Sequence, residues 1–192
     1  MGSKYAIASA APLRGKKGTH YEGGLRVPFI AAWARRNDDN ELQKSMPIPG
    51  GVLTDQVGTI YDLFPTILEV AGIRGEFGTL DGEDLSPLLR GEKSSRKPVF
   101  LMHFPHYLNS SYFTVYREGD WKLIYHYHRP QAERSELFNL REDRGESENL
   151  AAGRPDVRRH MIEAMAAALQ DAGAQYPVSK TDRPVKLKPK VY

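Results

Sequence analysis

The stretch from Tyr112 to His128 narrows the fold most. Two runs rich in aromatic and β-branched residues, Tyr112–Arg117 and Trp121–His128, are separated by Glu118-Gly119-Asp120. A three-residue connection with a central Gly between two such runs is a β-hairpin signal. Val99–His103 before it and Glu136–Leu140 after it have the same character and predict two further strands. From Pro155 onward, Val157, Met161, Met165 and Leu169 recur on one helical face, and Gly173 supplies a stop. The Met161/Met165 stripe reads as core packing. Strands followed by a terminal amphipathic helix predict a small antiparallel sheet with the helix packed on one face.

The first half reads differently. Residues up to Tyr21 are rich in Gly, Ala, Ser and Lys and read as a loop entered from something upstream. Leu25–Trp33 (LRVPFIAAW) is an apolar run between Gly23-Gly24 and the polar cluster Arg35–Asn40. It predicts a buried strand, with Pro28 at its start or at an edge. Met46–Gly51 is a turn-rich linker. Val57, Ile60, Tyr61, Phe64, Ile67, Leu68 and Ala71 recur at helical spacing. Pro65 interrupts that pattern, so the helix is expected over about Asp62–Ala71, with Asp62 as N-cap and Gly72 at its end. Leu80–Gly91 predicts a loop with one short helical turn, and its acidic group Asp81, Glu83 and Asp84 reads as turn chemistry. No internal repeat is present.

Composition matters where it excludes functions. There are no cysteines, which excludes disulfides, thiolate metal sites and a Cys nucleophile within this chain. The net charge of +3 is smaller than the contribution of the tail, where Lys180, Arg183, Lys186, Lys188 and Lys190 face only Asp182. The rest is slightly acidic, so no basic face for nucleic acid is expected. No apolar run approaches the roughly 18 residues of a membrane span. Met1–Ala11 lacks the pattern of a signal peptide.

Chemistry concentrates in Pro12–Pro28, PLRGKKGTHYEGGLRVP. Gly15 and Gly18 enclose Lys16 and Lys17, with Arg14 just before. Small flanking residues let the backbone approach a ligand. A lysine ammonium is a compact charge that suits an oxyanion such as sulfate or phosphate. GKKG is not a P-loop; taken alone it reads first as a solvated basic turn. His20 either lines a pocket beside the lysines or sits exposed in the loop. His103 and His106 are candidates for substrate contact, because imidazole titrates near neutrality and donates to an ester oxygen; the alternative is ordinary strand-end residues. His126 and His128 alternate with Tyr125 and Tyr127, which fits one solvated and one packed face. No metal-ligand spacing is convincing there.

The segment LRGKKGTHYEGGLRVPFIAAW resembles a signature of the sulfatase family, the formylglycine-dependent sulfuric ester hydrolases with an alkaline-phosphatase-like fold. Three further blocks follow in the family's order: DLFPTILEVAGI at Asp62–Ile73, LDGEDLSPLLRG at Leu80–Gly91, and REGDWKLIYHY at Arg117–Tyr127 followed by ELFNLREDRGESENLA at Glu136–Ala151. The resemblance implies an α/β fold: the C-terminal part of an alkaline-phosphatase-like domain at 1–97, a small sheet-and-helix subdomain at 98–176, and a basic tail at 177–192. It implies hydrolysis of sulfate esters, carbohydrate or aryl, in the full-length enzyme. Lys17 aligns with the family lysine that contacts the substrate sulfate, with Lys16 its competitor in register. Arg14, Glu22 and Arg26 also match family positions, as an Arg–Glu set holding the loop.

The family's nucleophile motif, [CS]-x-P-x-R, is absent. Ser45-Met46-Pro47-Ile48-Pro49 is the nearest serine candidate and lacks the arginine. Calcium is the cofactor of the parent family, and its ligands are absent from this chain, so no metal ligand is assigned. The chain is therefore expected to begin within a loop of the larger domain and to need an N-terminal catalytic segment. Its open edge predicts poor solubility alone. Two alternatives stand beside this reading. One is a non-catalytic or truncated fragment, or half of a split enzyme. The other is a related hydrolase of phosphate esters. Localisation stays open; secretion or a periplasmic location follows only where a signal peptide precedes such a chain.

Overall fold

The computed structural model describes residues 10–93, 96–108, 110–179 and 188–190. The four strands anticipated after Pro98 all form. Strand β1 is Val99–Leu108, β2 Ser110–Glu118, β3 Trp121–His126 and β4 Ser135–Asn139. They lie in the order β1-β2-β3-β4, and each neighbouring pair is antiparallel. The hairpin closes where Glu118 pairs with Trp121. Gly119 takes φ +58° there, a left-handed conformation that glycine adopts without a Cβ penalty. β1 runs past its expected end at His103. Pro105 lacks an amide for the ladder, and the register shifts by one residue between Phe104 and Tyr107. That bulge absorbs the proline and lets the strand continue.

Both faces of this sheet are covered. On one face Tyr116, Leu123, Tyr125, Tyr127 and Leu137 pack with Met161, Ile162, Met165 and Leu169. The last four belong to helix α5, Pro155–Asp171. Gly173 (φ +61°) ends α5: its amide bonds Gln170 O, and the Ala174 amide bonds Leu169 O. This is a Schellman closure. On the other face Phe113, Val115, Ile124, Phe138 and Leu140 pack with Tyr21 and Leu25 from the N-terminal segment. The expected split into one solvated and one packed face is therefore corrected. β3 is buried almost throughout, and Lys122, Ile124 and His126 share the face under the N-terminal segment.

Helix α1, Glu22–Leu25, replaces the start of the strand expected over Leu25–Trp33. The rest of that run is not strand either. Val27 is 80% and Ile30 90% exposed. A strand needs a neighbour, and no described residue pairs with this run.

The described residues fall into two compact units. One joins the segment ending at Val27 to the part beginning at Val99; the other is Pro28–Pro98. The lysine loop thus packs with the sheet, whereas the expected division at 97 groups it with the segment that follows it. Within Pro28–Pro98 lie α2 (Glu41–Ser45), a 3-10 turn at Ile60–Asp62, α3 (Leu63–Val70) and α4 (Ser86–Leu89). Gly72 follows α3 as expected, at φ +66°. Asp62 stands at the cap position, but its carboxylate does not cap α3. Fully buried, it accepts from Thr59 N and Oγ1, from the Glu83 amide and from Arg96 Nε at 2.6–3.0 Å. It ties the Leu80–Gly91 loop to α3. Of the basic tail, 180–187 and 191–192 lie outside the described residues. Among the described residues no helix is long and apolar enough to cross a membrane.

Candidate functional site

The lysine loop is a tight turn. Gly15 and Gly18 both have positive φ, +80° and +87°. Thr19 Oγ1 donates to Lys16 O at 2.8 Å and the Thr19 amide bonds the same oxygen. Helix α1 lies directly on this turn. The Gly23 amide donates to Arg14 O at 2.8 Å, and a Cβ on Gly24 would stand 2.3 Å from Thr19 O. The Glu-Gly-Gly sequence therefore answers a need for close backbone approach. Lys16 and Lys17 are exposed at the tip.

Behind the tip is a buried charge cluster. Lys122 Nζ, from β3, donates to Glu22 Oε1 at 2.8 Å and lies 2.7 Å from Glu146 Oε1. The Glu22 amide donates to Glu146 Oε2 at 2.6 Å, and Arg14 Nη1 donates to Glu146 O at 2.8 Å. Lys122 is 1% exposed and Glu146 is fully buried. Burial pushes the Glu146 carboxyl above its ordinary range, against the pull of Lys122. Arg26 Nε lies 3.9 Å from Glu22 Oε2, and the Arg14 guanidinium lies 3.8 Å from the centre of the Tyr21 ring. Arg14, Glu22 and Arg26 are thus brought to one place, but the principal counter-ion of Glu22 is Lys122. Sequence reasoning missed Lys122 and Glu146. For Lys122 the available signal was a lone lysine within the run WKLIY; Glu146 offered none.

A second buried group adjoins the first. His20 is not exposed; it is 6% accessible and touches the rings of Tyr21, Phe113 and His126. Neither of its ring nitrogens has a hydrogen-bond partner among the described residues. Burial, aided by the charge of His126, lowers its pKa to about 4. His126 Nε2 lies 2.7 Å from Glu136 Oε1, and Tyr21 Oη donates to Glu136 Oε2 at 2.9 Å. Burial opposes ionisation of Glu136, but the bonds from His126 and Tyr21 and the charge of Arg129 bring its pKa to about 2.

The other two histidine candidates are not brought here. His103 shares the opposite, α5-side face with Leu101. Its Nδ1 meets Thr114 Oγ1 at 2.7 Å and its Nε2 meets Gln175 O at 2.8 Å, so both nitrogens serve packing. His106 is exposed at the β1 bulge, edge-on to Phe104. Neither joins Lys17 in a common site.

The chain matches the family model described as N-sulphoglucosamine sulphohydrolase, C-terminal, over residues 16–175. It is 35% identical over 157 residues to a protein named Sulfatase from Formosa agariphila, covering 76% of this chain and 26% of that protein. It is 31% identical over 201 residues to arylsulfatase A of Homo sapiens, covering 91% and 36% respectively. Among solved structures it is similar to Ps i-CgsB in complex with k-i-k-neocarrahexaose. The TM-score is 0.60 at 24% identity, over 84% of this chain and 32% of that one. The chain spans about a quarter to a third of the length of these curated relatives.

Proposed function

The chain belongs to the sulfatase family, as its C-terminal portion, and from that premise we propose that it supplies the cationic wall of a sulfate-ester hydrolysis site, with Lys17 meeting the sulfate. The observation that carries this is the contrast within one loop. Lys17 is exposed at the tip of a glycine-bounded turn, while the base of that turn is clamped to the sheet by Glu22, Lys122 and Glu146. An exposed ammonium carried on an anchored turn is suited to the negative charge that grows on the transferring group and on the leaving oxygen. Lys16 adds a second positive charge to the same tip. Arg14, Glu22 and Arg26 act as positioning residues.

Calcium, implied by the family, finds no ligand set among the described residues. A calcium ion needs six to eight oxygens. Among the described residues the two carboxylates that anchor the lysine turn, Glu22 and Glu146, are both held by Lys122, and two carboxylates fall short of that shell. No step is derived through it. The nucleophile and the cofactor belong, on this reading, to a further polypeptide segment. Support comes from Ile30, Leu53, Ile60 and Ile67 of the Pro28–Pro98 unit, whose apolar side chains are exposed and suit cover by such a segment. The substrate class follows the relatives' names: sulfated carbohydrates or aryl sulfates.

The test uses the longest natural polypeptide that contains this chain. Lys17→Ala is expected to lower kcat on a sulfate monoester about 10²–10³-fold, as loss of one charge-stabilising donor does, with an unchanged melting temperature. Lys16→Ala should cost far less. Turnover within threefold of wild type in Lys17→Ala refutes the assignment. A preference for phosphate over sulfate monoesters would favour the phosphate-ester alternative.

A further inference from the structure

We propose that His20, His126 and Glu136 form a binding site for a divalent transition metal of the zinc class, placed between the lysine loop and the sheet. One ligand atom from each of the three lies within 4.8 Å of the others. The three residues come from distant parts of the chain. His20 follows the lysine turn, His126 ends β3, and Glu136 lies on β4 beside it, pairing with Ile124. All three are buried, at 6%, 3% and 9% exposure.

The unpartnered imidazole of His20 is the independent sign of a ligand. Buried polar groups are normally satisfied, and leaving one unsatisfied is unfavourable. His20 is buried against three aromatic rings with both nitrogens unpartnered. A metal ion next to Glu136 would take the one lone pair that a neutral imidazole carries on its unprotonated nitrogen. Tyr21 Oη holds Glu136 Oε2 and so orients the carboxylate while Oε1 faces His126.

The donor set selects the ion. Two imidazoles and one carboxylate suit zinc, and they leave one tetrahedral position to water. Calcium and magnesium require oxygen-rich shells. Binding needs two local adjustments. The His126–Glu136 contact of 2.7 Å must open, and His20 must close toward it. Arg129 Nη1, 3.2 Å from Glu136 Oε1, is the competing cation; its side chain is 43% exposed and has solvent to turn into. Arg14 Nη1, 3.8 Å from Oε2, stays on the far oxygen. An ion here would pin the residue after Thr19 to the sheet, and with it the turn that carries Lys17.

The test begins with the full 192-residue chain, stripped of metal by a chelator and titrated with Zn²⁺ against a chromophoric competitor. One equivalent is expected to bind with a Kd below about 1 μM, which corresponds to the affinity range of a specific site. Co²⁺ should give the ligand-field spectrum of a four-coordinate nitrogen–oxygen site. His20→Ala should weaken Zn²⁺ at least about 30-fold, whereas His160→Ala, at an exposed histidine on α5, should leave it unchanged. If His20→Ala loses its far-ultraviolet circular dichroism, imidazole ¹⁵N spectra of the wild-type chain decide: Zn²⁺ must shift two of the six histidines. Binding weaker than about 100 μM, binding that survives His20→Ala, or shifts at other histidines overturn the proposal. The outcome is independent of Lys17 and of sulfatase turnover.

Discussion

Lys122→Met is the sharpest test of how the lysine loop is held. In the native chain Lys122 Nζ stands 2.8 Å from Glu22 and 2.7 Å from Glu146, with all three side chains almost wholly buried. Methionine keeps the length of the stem and removes the charge. Two carboxylates then share a dry site, with Arg26 at 3.9 Å from Glu22 as the nearest remaining cation. Removing one partner of a buried ion pair costs about 3–5 kcal/mol. For a unit of this size each kcal/mol lowers the melting temperature by about 4 °C, so a drop of roughly 12–20 °C is expected near pH 8. The penalty must also depend on pH. The Glu146 carboxyl is already pushed up by burial, and without Lys122 it rises further. The folded variant then binds a proton that the unfolded chain, with an ordinary carboxyl near 4.5, does not. Its stability is greatest at low pH and falls as pH rises through the raised value, by at most about 1.4 kcal/mol per pH unit for one proton. Melts followed by circular dichroism at pH 5.5 and pH 8 should show a smaller deficit at the lower pH. Adding Glu146→Gln to the variant should recover part of the loss at pH 8. A variant melting within 3 °C of wild type at pH 8, or an equal deficit at both pH values, refutes the reasoning.

Three further outcomes follow from other contacts. His20 titrates at about 4 when folded against 6.5 when free, so its stability contribution is complete above pH 6.5 and lost as pH falls toward 4. That loss is about 3 kcal/mol, and His20→Gln should flatten the fall in melting temperature between pH 7 and pH 5. Gly24→Ala would place a Cβ 2.3 Å from Thr19 O; overpacking of this kind costs about 1–3 kcal/mol, and equal melting of the two proteins would contradict it. Asp62→Ala strips the buried Arg96 of its carboxylate and the Glu83 amide of its acceptor, so hydrogen exchange at that amide should accelerate sharply while the β-sheet amides keep their protection.

The sheet and α5 were legible because their signals are local. A Gly-centred turn between two β-rich runs, and four apolar residues on one helical face, determine their elements without help from distant chain. What stayed hidden depended on distant partners. The sequence predicts β1 only as far as His103, and only the pairing with β2 shows a bulge that absorbs Pro105 and carries the strand on. The apolar run after Leu25 announced a demand for burial but not what would meet it, and its side chains are exposed. Asp62 had the sequence of a cap, yet it serves a loop 21 residues away through the Glu83 amide. The same limit governed the site. The glycines around Lys16 and Lys17 mark a turn by themselves. The partners of Glu22 lie 100 and 124 residues along the chain, and no periodicity connects them. For His20 the sequence leaves a pocket-lining and an exposed loop position equally open, because nothing in its neighbours foretells the Phe113 and His126 rings that bury it.

The choice of charge for the clamp has a physical logic. Tyr21 and Leu25 already seal this face of the sheet with apolar surface, and apolar contact alone would hold the segment down. It would not fix its register, because hydrophobic attraction is non-directional. An ion pair with bonded partners is directional, and its strong penalty for misalignment selects one placement even where its net contribution to stability is small. Glu22 meets Lys122 with its side chain and Glu146 with its backbone amide, so sliding α1 by one residue breaks both contacts at once. Arg14 adds a third point from the other side of the turn, through Glu146 O. Under the proposed reading, what those three points define is the position of the ammonium between Gly15 and Gly18. A displacement of about 1 Å there is enough to forfeit much of a charge-stabilising contact. The energy invested in burying three charges is thus explained by the precision required a few residues away.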